Sequence, residues 1–133
     1  MPDTLCAFNI TRQSFLGLNV RRADTLMARL RGLLGFKRLG ADEGVWIVPS
    51  RGVHTIGLLF TIDLVYLDAD LKVLHLVEHF RPFGIAPMKI KAQTVLELPA
   101  RAIYSSRTQV GDRLLICSPE GLGTCGRSMA GDH

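Results

Sequence analysis

At 133 residues and 14.7 kDa, with 47% hydrophobic and 21% charged residues and a formal net charge of +4, the chain has the length and composition of one globular domain. A chain of this size buries enough surface to fold without a disulfide or a metal. Cys6, Cys117 and Cys125 are scattered with no C-x-x-C pair, which argues against a disulfide framework or zinc site and suits a reducing compartment.

Asp63, Asp68 and Asp70 break the longest apolar run, so no spanning helix is expected. The opening "MPDTLCAFNITRQSF" lacks a basic region followed by an apolar core and a small-residue cleavage site, so a cytoplasmic location is the expectation. Charge is uneven. Residues 1–38 carry seven bases against Asp3 and Asp24, a net of +5, and the rest carry nine bases against ten acids, a net of −1. Such an end can attract nucleic acid, an acidic protein or a membrane surface, but a solvated basic face accounts for it equally simply, and nucleic-acid binding is not expected.

In chain order, "LCAFNI" and "FLGLNV" flank "TRQS" and predict a hairpin. In "RADTLMARLRGLLGF", Asp24 can cap a helix whose Leu26, Met27, Leu30, Leu33 and Leu34 share a stripe about 120° wide, and Gly35 can end it. A helix covering a sheet explains that stripe fully. Strands follow: "GVWIVP", then "LLFTIDLVYL" over ten residues, then the acidic turn "DAD" and "LKVLHLVEH". "FRPFGIAPMKIKA" predicts a long loop, because Pro82, Gly84 and Pro87 punctuate it. "QTVLELP" and, after a Gly-Asp turn, the end of "QVGDRLLIC" predict two more strands. The expected architecture is mostly β: a β-sandwich or partly open barrel of about seven strands with one amphipathic helix in the N-terminal third. Residues 1–117 would form the domain and 118–133 a flexible tail.

The residues that could carry chemistry are few. Asp63 lies in "LLFTIDLVYL", apolar on both faces and so expected to be central and buried. A carboxylate there needs hydrogen bonds or a cation. His54, an arginine or backbone amides could supply them, in a structural or a functional role. Glu97 shares parity with Val95; a wet sheet face would explain it, whereas a pocket shared with Asp63 would raise one of the two pKa values and permit acid–base work. His75 and His79 would share a face only on a helix. On a strand their four-residue spacing spans about 13 Å, too far for one zinc. No G-x-S-x-G, Walker loop or G-x-G-x-x-G occurs, so no nucleophile, nucleotide or metal site is predicted.

The stretches "RLRGLLGFKRLGADEGVWIV", "VHTIGLLFTIDLVYLDADLKVL", "VLELPA" and "VGDRLLI", in this order over residues 20–117, resemble the domain of unknown function 192 family. The resemblance implies a compact β-sandwich with a small helical cap. It places Gly32, Leu33, Gly44, Asp63, Asp68, Glu97, Gly111 and Asp112 at matching positions. The chain departs from the family pattern at "HTIG" with His54, where many members have a tryptophan–methionine pair. It departs again at Leu71 and at Arg101, where members have glycine. Many relatives resemble exported proteins. The family carries no established activity.

The resulting expectation is a non-catalytic ligand- or partner-binding domain with His54, Asp63, Glu97 and Asp112 as ligand-binding residues, residues 81–91 as a mobile rim, and no cofactor. The partner would be a small molecule or a protein. The alternatives are a small hydrolase or isomerase using His54, Asp63 and Glu97 as acid and base, and a basic-patch binder of nucleic acid or an acidic partner.

Overall fold

The computed structural model describes residues 4–23, 38–52, 60–82 and 84–121. The helix expected over Asp24–Leu34 lies outside them. Seven strands run in chain order: β1 (Thr4–Asn9), β2 (Ser14–Ala23), β3 (Glu43–Ile47), β4 (Ile62–Leu67), β5 (Val73–Phe80), β6 (Thr94–Pro99) and β7 (Leu114–Cys117). A short helix, α1 (Ala102–Ser106), precedes β7.

These strands form one sheet of order β5-β4-β6-β3-β2-β1-β7. The expected hairpin is β1 and β2. Among the described residues only β2 and β3 pair in parallel, and residues 24–42 between them are long enough for the crossover a parallel pair requires. The sheet curls until its edges meet at one end. Lys72 bridges Arg113, the Val73 amide donates to the Asp112 carbonyl at 2.8 Å, and the Leu114 amide donates to the Leu71 carbonyl at 2.9 Å. The result is mostly β as expected, and of the two expected arrangements, sandwich or partly open barrel, the single curled sheet fits the second.

Both faces of the sheet are apolar. Val65, Leu67, Val73, Leu96, Leu98, Ile103 and Leu114 pack inside the curl. Val45, Ile47, Ile62, Leu64, Tyr66 and Val95 pack on the other face with Ala86 and Ala92. Gly44 lets β3 approach β6, since a Cβ there would stand 2.9 Å from Leu98 and 3.0 Å from the Glu97 carbonyl.

Two elements differ from the sequence reading. β4 starts at Ile62, so Phe60 and Thr61 of the expected ten-residue strand are not in it, and Leu58 and Leu59 lie outside the described residues. Ile62 faces Pro99 across the ladder, and a proline offers no N–H to continue it. Helix α1 was not expected, because five residues are too few to show a helical period. Its start is fixed from elsewhere in the chain, as described next.

Candidate functional site

Asp63 is fully buried, as its apolar strand required. Its partners are two backbone amides. Oδ1 accepts from the His79 N–H at 3.0 Å and Oδ2 from the Ile103 N–H at 2.9 Å. The first bond holds a bulge: the β4–β5 register jumps from Ile62↔Phe80 to Leu64↔Val77, and His79 takes a φ of 55°. The second satisfies an otherwise orphan amide in the first turn of α1, where Arg101 at the N-cap makes no side-chain bond of its own. Asp63 thus caps a helix from forty residues away. Both of its oxygens are engaged.

Glu97 does not meet Asp63. Cross-strand partners share a face, and Asp63 pairs with Leu98 while Leu64 pairs with Glu97. Successive strand residues alternate, so Asp63 points into the curl and Glu97 to the opposite face, beside Val45. The shared pocket entertained from the sequence is therefore not formed by these two carboxylates, because strand register separates them. Glu97 is buried, and its Oε1 has no hydrogen-bond partner among the described residues. Burial pushes its carboxyl up to about 8, against a lowering influence from the charge of Arg21. His54 lies outside the described residues.

Asp112 belongs to a third place, the junction of β1 with the turn before β7. Its Oδ2 accepts from Asn9 Nδ2 at 3.0 Å, Arg12 Nε at 3.1 Å and the Gln109 amide at 2.9 Å. Asn9 also donates to Thr108 Oγ1, which shares a 2.6 Å bond with Ser106. Burial raises the Asp112 pKa, but the bonds from Asn9, Arg12 and Gln109 and the charge of Arg12 outweigh it and hold the carboxyl below its ordinary value. This network ties β1, α1 and β7 together. Gly111, with φ 97°, makes the turn that brings Asp112 to it.

The outer face carries a feature of a different kind. From Phe80, opposite Ile62, to Gln93, whose amide reaches the Leu67 carbonyl, the described residues after Phe80 form no strand or helix, with only an isolated bridge at Ile85. Their backbone is nevertheless pinned. Ala86 and Ala92 are buried, Tyr66 donates its hydroxyl to the Pro87 carbonyl at 2.8 Å, and the Lys89 amide donates to the Arg51 carbonyl at 3.0 Å. Burial pushes the Tyr66 phenol up to about 12, so it remains a donor throughout the physiological range. His75 packs edge-on against Tyr66, with ring centroids 5.3 Å apart; burial and then the charge of Lys89 lower its pKa. Between the pinned positions, Ile85, Met88 and Ile90 point outward, 87%, 72% and 84% exposed. Beside them lies a cleft of about 320 Å³ lined by Pro49, Ser50, Arg51, Met88, Ala92 and Gln93. The sequence marks residues 81–91 as a mobile rim, whereas the backbone is tied at Pro87 and Lys89, and the outward apolar side chains were not expected. The available signal was three large apolar residues among lysines in a Pro- and Gly-bearing stretch.

Among the described residues no cluster of His, Cys, Asp and Glu could hold a metal ion, and no helix is long and apolar enough to cross a membrane.

The fold and these positions define a small β-barrel-like domain of a recognisable family. The chain belongs to the DUF192 family, described as "Uncharacterized ACR", whose model matches residues 8–116. The match reaches further toward the N-terminus than the motifs read from sequence. A crystal structure of a protein of unknown function from Novosphingobium aromaticivorans DSM 12444 is similar with a TM-score of 0.72 at 15% identity, covering 84% of this chain and 83% of that one. A second, from Sinorhizobium meliloti 1021 and described as a "putative transcription regulator", is similar with a TM-score of 0.73 at 19% identity, covering 86% of this chain and 93% of that one. At these identities the likeness is one of fold. No curated protein matches.

Proposed function

We propose that this protein is a non-catalytic binding domain whose contact surface is the loop from Gly84 to Lys91 with the adjoining cleft at Pro49–Arg51. The observation that carries this reading is the exposure of Ile85, Met88 and Ile90 on a backbone held by Tyr66, Ala86 and Ala92. Three large apolar side chains exposed within six residues of chain on a tied backbone point to an interaction site. Fixing the backbone beforehand also reduces the entropy lost on binding. Of the carboxylates first suggested as ligand-binding, Asp63 and Asp112 are engaged in hydrogen bonds elsewhere in the fold, and Glu97 points to the outer face.

The test is a nuclear magnetic resonance titration of the isotopically labelled protein with 8-anilinonaphthalene-1-sulfonate, a probe with an apolar body and one negative charge. The expected perturbations fall on the amides of residues 84–91 and 50–52. Perturbations confined to other surfaces, or none, would overturn the reading.

A further inference from the structure

We propose that the Gly84–Lys91 loop docks on an anionic lipid surface. This rests on the reading of that loop as the binding surface and names its partner.

Three observations point to lipid. The outward tips are aliphatic or thioether only: Ile85, Met88 and Ile90. Hot spots that bind folded proteins are richest in Trp, Tyr and Arg. Lys89 and Lys91 stand between and after these tips, Arg51 lies beside the loop, Arg81 shortly precedes it in sequence, and no acid lies between His79 and Thr94. Arg51 is brought there by the bond from the Lys89 amide to its carbonyl. Gly52 packs so closely that a Cβ would stand 3.2 Å from Met88 Sδ.

Apolar tips interleaved with long cationic side chains suit the boundary of a bilayer. The tips enter the acyl region while the ammonium and guanidinium groups stay at the depth of the phosphates. The same charge disfavours a second copy of this chain, since a two-fold contact through one loop would set its bases against each other. The backbone ties at Pro87 and Lys89 keep the tips directed outward before contact.

The experiment is co-sedimentation of the full chain with vesicles of equal parts phosphatidylcholine and phosphatidylglycerol, and with vesicles of phosphatidylcholine alone. The expected result is binding to the mixed vesicles, weakened by salt, and little to the neutral ones. Replacing both lysines (Lys89→Gln with Lys91→Gln) should weaken binding on the order of 30-fold, at about fivefold per base. Serine at Ile85, Met88 and Ile90 together should abolish it. Val110→Ser, which alters an exposed apolar residue on a different turn, should leave it unchanged.

Equal binding to both vesicle types, or full binding by the triple-serine variant, would overturn the proposal. No vesicle binding would overturn it too, and a parallel arm shows how far the failure extends. If an acidic leucine-containing peptide then perturbs the loop resonances, the loop is a protein-binding surface and only the lipid assignment falls. If neither that peptide nor the anilinonaphthalene probe perturbs them, the binding-surface reading falls as well.

Discussion

The carboxylate of Asp63 accepts the amide of Ile103 at 2.9 Å across forty residues of chain, and this bond joins the centre of the sheet to the start of α1. With the His79 amide on its other oxygen, Asp63 closes two backbone defects at once, a bulge and an uncapped helix end. Asp63→Asn exchanges one acceptor for an N–H group that faces a donor. It should lower stability by about 1–3 kcal/mol, the usual penalty for a disrupted buried polar contact. Urea unfolding measures this, and an unchanged midpoint would contradict the capping role.

Glu97 should make stability fall as pH rises. Its folded pKa, about 8, lies above the ordinary 4.5, so over that interval the folded state holds a proton the unfolded state has released. Its contribution is complete below about pH 4.5, declines upward and is lost once pH passes about 8. Glu97→Gln keeps the neutral form at every pH. Unfolding midpoints at acid, neutral and alkaline pH should converge between wild type and variant at the acid end, with the variant the more stable at the alkaline end. Parallel profiles would show that Glu97 is not held protonated.

Asp112 should act in the opposite sense. Its folded pKa is lowered below 3.8, so its contribution is present above that value and lost as pH falls through the folded one. Asp112→Asn should therefore be less stable than wild type at neutral pH, with the gap narrowing in acid. A gap independent of pH would show that the loss is one of packing rather than charge.

Leu71 and Arg101 stand where the family pattern places glycine, and both take left-handed backbone, with φ of 61° and 79°. Arg101 isolates the consequence, because among the described residues its side chain reaches over the Tyr104 ring, 5.9 Å away, and makes no cap hydrogen bond. Alanine and glycine at position 101 both lose that contact, but only glycine relieves the backbone. Arg101→Gly should be more stable than Arg101→Ala by about 1 kcal/mol. Equal midpoints would show that no strain resides there.

The fold was legible because strands announce themselves locally. The apolar runs "LCAFNI" and "FLGLNV" around "TRQS", the doubly apolar "LLFTIDLVYL" and the glycine–aspartate turn at Gly111 each point to what the structure contains. The burial of Asp63 and its need for hydrogen-bond partners also followed from its apolar neighbours, but His54, an arginine and backbone amides all stood as candidates for that role. Which amides could not be read, since His79 and Ile103 are placed by strand pairing and not by spacing. The same limit hid the separation of Asp63 from Glu97. Parity within each strand was visible, but the register between β4 and β6 that puts them on opposite faces was not. The outward turn of Ile85, Met88 and Ile90 depends on the inward anchoring of Ala86 and Ala92 by the sheet beneath them.

If Ile85, Met88 and Ile90 are held at the surface for a partner, as we propose, they contribute nothing to the fold. The most direct measurement is urea unfolding of the variant with serine at all three positions, beside wild type. Side chains this exposed bury little surface, so the account predicts stabilities equal to within about 0.5 kcal/mol. A loss of about 2 kcal/mol or more, the scale of a buried side chain, would show that these residues belong to the core and contradict the claim.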